Sequence, residues 1–154
     1  MEIADLLSPQ SVIANLRSTS KKQALQELAR KAAEVSGMNE RAVFDVLIER
    51  ERLGTTGVGN GIAIPHGKMA ALDRLHGVFA RLERPLNFES IDEQPVDLIF
   101  LLLAPESAGA DHLKALARVS RLLRDKDVCT KLRGTESPEA LYALLTEHPA
   151  SRAA

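Results

Sequence analysis

The chain has 154 residues, enough for one domain around one core, and its 45% hydrophobic and 27% charged residues are an ordinary globular balance. Twenty basic and twenty-one acidic residues leave a net charge of -1, which argues against the broad basic footprint of a nucleic-acid-binding protein. Aromatics make up 3% with no Trp, so the core has to be built from Leu, Ile, Val and Ala.

The N-terminal MEIADLLSPQ starts acidic and has no long apolar run. No signal peptide is expected, and the protein is read as cytoplasmic. Residues 20–36 predict a helix. Ser20 and Gln23 fit a capping box. Ala24, Leu25, Leu28, Ala29, Ala32 and Val35 recur at helical spacing, and Gly37 can end the helix. A second helix is expected from Asn39 as N-cap through Val43, Val46 and Leu47 towards Arg50.

Three strands follow. GIAIP at 61–65 is short and leads into His66, and LHGVFARL at 75–82 mixes apolar and polar positions. VDLIFLLLAP at 96–105 is a continuous apolar run, as expected of a central strand covered on both faces. Its apolar stretch is far too short to cross a bilayer. Residues 83–95, with Pro85 and Pro95, are expected to form a loop with an edge segment. The last third reads as helical. Residues 111–124 start at Asp111 as N-cap and place Leu113, Leu116, Ala117, Val119, Ser120 and Leu123 around one stripe. A further helix covers 126–133, and another starts with Ser137 as N-cap and Pro138 at its first position. The order predicts an α/β domain over 1–148 with helices packed on a mixed sheet, followed by a short tail at 149–154. The lone Cys129 has no disulfide or zinc partner in sequence and reads as structural.

The chemistry concentrates in GTTGVGNGIAIPHGK, residues 54–68. A dinucleotide fingerprint needs G-x-G-x-x-G before a helix, yet Ile62 stands at the last glycine position and a strand-like run follows. A P-loop needs four residues between glycine and Gly-Lys, then Ser or Thr. Here there are five, Met69 follows Lys68, and Pro65 lacks the N–H that would cradle a phosphate. What the segment does offer is His66, stiffened by Pro65 before it and flanked by Gly67, which could let a partner approach. These flanks leave a reactive and a structural role equally open. His112 falls in a first helical turn, where free N–H groups favour an anion, although an exposed residue without a role is the simpler reading. Arg50 stands just before the glycine loop, where its planar fork could reach a phosphate, and Arg52 is a second candidate. His76 and His148 are expected to be ordinary packed or part-exposed side chains.

Taken together, GTTGVGNGIAIPHGK, Arg50 upstream, QPVDLIFLLLAP and DHLKALARVSRLLRD resemble the phosphotransferase-system enzyme IIA domains of the mannitol/fructose type, in particular the nitrogen-related branch, over roughly residues 2–147. The resemblance implies an α/β sandwich with a mixed sheet of about five strands flanked by helices. It implies a phosphotransferase in which His66 is the phosphoryl acceptor, His112 a phosphate-stabilising histidine and Arg50 a supporting residue. The implied donor is a phosphorylated HPr-like carrier (NPr). The implied targets are regulatory proteins such as potassium-transport or sensor-kinase proteins, with no cofactor, no metal and no nucleic acid. The absence of IIB and IIC segments favours the nitrogen branch. Three alternatives stay open: a sugar-specific IIA that passes phosphate to a IIB domain, an interaction module that is not phosphorylated, and a metal site of His66 and His112 that lacks an evident third ligand.

Overall fold

The computed structural model describes residues 1–147. His148 and the expected tail at 149–154 lie outside the described residues. Six strands and five helices follow two short 3-10 turns in the order β1(Val12–Leu16), α1(Lys21–Ser36), α2(Glu40–Arg52), β2(Gly57–Gly59), β3(Ile62–Ala63), β4(His66–Met69), β5(His76–Leu86), β6(Val96–Pro105), α3(Ala110–Arg124), α4(Lys126–Arg133) and α5(Pro138–Thr146).

The helices form where their end signals predict them. Ser20 accepts from the Gln23 N–H, Asn39 from the Ala42 N–H and Ser137 from the Ala140 N–H, so each first turn has one donor satisfied by a side chain. Gly37 ends α1 in the left-handed conformation at φ 78°. One detail differs from the expected capping box. The Gln23 side chain accepts from the N–H and hydroxyl of Thr19, one residue earlier than Ser20.

The apolar run at 96–105 is the central strand. On one side β6 pairs antiparallel with β5, which pairs parallel with β1. On the other side β6 carries two short parallel partners in series: β3, with Ile62 opposite Leu98, and β4, with His66 opposite Leu102. The carbonyl of Pro65, between them, accepts from the Leu102 N–H at 2.9 Å. Residues 61–69 are thus one strand path interrupted at Ile64 and Pro65. The hairpin strand β2 lies outside β3.

Alternation along β6 divides the core in two. Leu98, Phe100, Leu102 and Ala104 face one cluster with residues of α3, α4 and α5. Ile99, Leu101 and Leu103 face the other, with residues of α1 and α2. Burying each of these leucine, isoleucine or phenylalanine side chains contributes about 1.5–3 kcal/mol, so β6 holds both helical layers onto one sheet. Cys129 is buried in the first layer, donates to the Leu123 carbonyl, and has its thiol pushed up by burial, as expected of a structural residue.

One strand was not expected, and three expectations need correction. Residues 12–16 form a strand that local pattern does not reveal. The strand from His76 runs on to Leu86, so 83–86 are not loop; the register with β6 breaks between Arg81 and Leu86, which leaves room for Pro85. The second helix continues two residues past Arg50. Finally, Gly109 rather than Asp111 caps α3, and its buried stripe is His112, Ala115, Val119, Leu122 and Leu123, with Leu113 68% exposed.

Candidate functional site

His66 opens β4 at an edge of the sheet that no further strand covers among the described residues. Side chains alternate along β4, and Met69 belongs to the α1/α2 layer. Gly67 shares its parity, because a Cβ there would lie 2.4 Å from Val46 Cγ1 of α2. His66 and Lys68 have the opposite parity, the side of α3. At this uncovered edge His66 is reached from both layers. Arg50, from the last turn of α2, brings Nε to 3.3 Å from His66 Nε2. His112, from the first turn of α3, places its ring centroid 5.8 Å from that of His66 at an interplanar angle of 55°.

The partners of His66 fix its tautomer. Nδ1 lies 2.9 Å from the carbonyl oxygen of Ile64, which can only accept, so Nδ1 carries the proton. The Arg50 Nε–H can only donate, so Nε2 presents its lone pair. Arg50 is itself anchored, since Nη1 donates to the Gly54 carbonyl at 3.0 Å. His66 is half-buried, with one ring nitrogen held by the Ile64 carbonyl and the other facing Arg50.

His112 contrasts with it. It is 6% exposed, and its Nδ1 is buried without a hydrogen-bond partner. Burial pushes its imidazole below the ordinary value, and the neighbouring charges of His66 and Lys68 push the same way. A neutral ring beside His66, at the start of a 15-residue helix, is placed to share an anion with the helix's free N–H groups.

The remaining candidates do not join the site. Arg52 turns to the surface and pairs with Glu49. His76 is buried on β5, where burial, then Arg74, lowers its pKa. The glycines also differ from expectation. Gly67 does not leave an opening for a partner, because Val46 fills the space beside it. Gly57 packs against Ser90, and a Cβ on Gly61, at φ 80°, would run into Arg133 and Asp97. The glycines let internal elements close on the strand path rather than clear space before His66. Lys68 was not singled out in the sequence, although its place two residues after His66 puts it on the same strand face. Among the described residues, no three His, Cys, Asp or Glu side chains are grouped so as to hold a metal ion.

Comparison with known proteins gives the site its context. The family model described as phosphoenolpyruvate-dependent sugar phosphotransferase system, EIIA 2, matches residues 5–148. The chain belongs to this EIIA family. It is 61% identical over 153 residues to a nitrogen regulatory protein of Bradyrhizobium diazoefficiens, covering 99% of this chain and all of that one. Its fold superposes on the crystal structure of the nitrogen regulatory protein IIA-Ntr from Neisseria meningitidis with a TM-score of 0.88 at 35% identity, over 94% of this chain and 99% of that one. These relatives put the chain on the nitrogen regulatory branch of the EIIA family. The mannitol IIA of Escherichia coli shares the fold, with a TM-score of 0.77 at 20% identity over 91% of this chain and 99% of that one. No helix among the described residues is long and apolar enough to cross a membrane.

Proposed function

We propose that this EIIA protein is a phosphocarrier whose acceptor is Nε2 of His66 and whose phosphorylation state governs its binding to regulatory partners in the cytoplasm. The observation that carries this reading is the opposed bonding of the two ring nitrogens: Nδ1–H is held by Ile64 O, while Nε2 accepts from Arg50 Nε–H. Family membership supports a phosphorylated carrier protein as donor.

The donor is a phosphohistidine on an HPr-like protein. The Nε2 lone pair attacks its phosphorus in line, the bond from phosphorus to the donor nitrogen breaks, and that nitrogen keeps the electron pair. The positive charge of the donor's phosphoimidazolium passes to the His66 ring, whose Nδ1–H remains on Ile64 O, so no proton has to move. Transfer of this kind asks the protein for alignment and for charge on the equatorial oxygens. Arg50 turns from Nε2 onto those oxygens as the bond forms. His112 donates to them from a dry position where a hydrogen bond is worth more than in water. Because the donor is already a high-energy phosphoramidate, this scheme routes no step through a metal.

Incubation with the phosphorylated carrier should give an acid-labile, base-stable phosphate. Undiminished incorporation in His66→Ala would sink the assignment. His112→Ala should slow transfer or shorten the lifetime of the phosphoprotein; wild-type behaviour in both respects would return His112 to a packing role.

A further inference from the structure

Directly after Arg50 stands a carboxylate that the transfer chemistry does not use. The side chain of Glu51 is 5% exposed, close to fully buried. Lys21 Nζ from the first turn of α1 lies 2.6 Å from one of its oxygens. The other accepts from the Thr56 N–H at 3.1 Å and from the Thr56 hydroxyl. Glu51 therefore joins the end of α2, the start of α1 and the entry to β2. A buried carboxylate is costly unless its acceptor sites are filled, and here they are filled by one cation and two donors.

The residues between Glu51 and Thr56 form the turn that holds Arg50. Gly54, the acceptor of Arg50 Nη1, lies at its centre, and its own N–H donates to the Glu51 carbonyl at 3.1 Å. Thr55, next in line, donates its hydroxyl to the Phe88 carbonyl, and the Phe88 ring lies 4.9 Å under Lys21 Nζ. Glu51 thus closes a four-residue turn, 52–55, across its base, and the tip of that turn positions the guanidinium set against His66.

We infer that Glu51 is a positioning residue for phosphoryl transfer, acting through Arg50, an inference that rests on the phosphocarrier reading. It does not touch His66. It holds the Gly54 carbonyl where Arg50 can bond to it and still place Nε at the nucleophile. An ion pair that merely joined α1 to α2 would contribute to stability alone; this pair also fixes the direction of a neighbouring side chain.

A double-mutant cycle on the transfer rate from the phosphorylated carrier tests this. Glu51→Gln keeps the length and one acceptor oxygen but gives up the charge that holds Lys21. Misplacement of a transfer group by about 1 Å can cost up to about 100-fold, so Glu51→Gln should slow transfer about 10- to 100-fold. In an Arg50→Ala background the same change should cost less than about twofold, because the group it positions is gone. A wild-type rate for Glu51→Gln, or an equal cost in both backgrounds, overturns the inference. Thr56→Val, which removes one donor and leaves the ion pair, should give the same non-additive pattern at smaller size and serves if Glu51→Gln fails to fold. An independent reading comes from the His66 Nε2 nitrogen resonance in the unphosphorylated protein. It should shift in Glu51→Gln in the direction seen in Arg50→Ala; an unchanged resonance overturns the positioning role even if no phosphate is ever transferred. A chain that takes no phosphate in wild-type form, yet shows that shift, refutes the phosphocarrier reading and leaves the geometry of Glu51 standing.

Discussion

Two strand paths run side by side through the middle of this molecule, 96–105 and 61–69, in the same direction and in register. The first is unbroken, apolar and buried on both faces, with Phe100 and the leucines around it at 0% exposure. The second is interrupted at Ile64 and Pro65, carries Gly61 and Gly67, and leaves His66 half-buried and Lys68 exposed. The regular strand contributes stability and a fixed frame. The interrupted one buries Ile62, Ala63 and Ile64 against that frame and relies on it to present the His66 ring at the edge of the sheet. Changes on β6 should therefore alter folding first, and changes at the solvent-facing residues of the broken path should alter the site with little effect on folding.

The largest effect on stability is expected at Leu101. Leu101→Ala removes a fully buried side chain between β6 and the α1/α2 layer and should cost about 2–5 kcal/mol by denaturant unfolding. A cost below about 1 kcal/mol would show that this layer is loosely packed. Next is Gly67→Ala, the exception on the broken path. Its new methyl meets Val46, which is stiff at χ1, so a loss of about 1–3 kcal/mol is expected. Adding Val46→Ala should recover part of that loss; no recovery would locate the strain elsewhere.

The third prediction concerns pH. The folded-state pKa of His112 lies below its unfolded value, chiefly through burial, and that of His76 does so for the same leading cause. Between the folded value and about 6.5 the unfolded chain binds more protons, so stability should fall as pH drops below 6.5 and be unaffected by these groups above it. Urea unfolding at pH 7.5 and 5.5 should show that slope, and His112→Gln should flatten part of it while His76→Gln flattens another part. An unchanged slope in both variants would mean that neither imidazole is desolvated in the fold. The smallest effect is expected for His66→Gln. Thermal unfolding near neutral pH should stay within about 0.5 kcal/mol of wild type, as for a surface substitution, while phosphate incorporation disappears. A large loss of stability would break the contrast between the two paths.

Much of this was readable in the sequence where the signal is local. Caps at Ser20, Asn39 and Ser137 and the stop at Gly37 depend on a few neighbouring residues, and all four sit where their chemistry predicts. The run at 96–105 is legible because burial on both faces leaves no alternation to confuse. β1 was not legible: VIANL is short, and its strand state depends on pairing with Phe79 and Ala80, more than sixty residues away. The path of His66 was half legible. Proline and glycine on its flanks mark a special backbone, but only the structure shows that Val46 fills the space beside Gly67. The inward turn of His112 could have been found by counting Ala115, Val119 and Leu122 back by helical steps instead of starting from Leu113. The closeness of Arg50 to His66 has no sequence signal, because a turn and a hairpin lie between them.

The dependence of β4 on β6 has a temporal side. Among the described residues β4 has a single strand partner, and that partner ends at Pro105. During synthesis, His66 leaves the ribosome almost forty residues before the strand that will hold it, and before the helix that bears His112. Chain elongation at about 5–20 residues per second leaves this edge unpaired for a few seconds. The nascent protein can gather α1 and α2 early, but His66 is not fixed against Arg50 until β6 is made, so a chain cut short before β6 would lack that geometry.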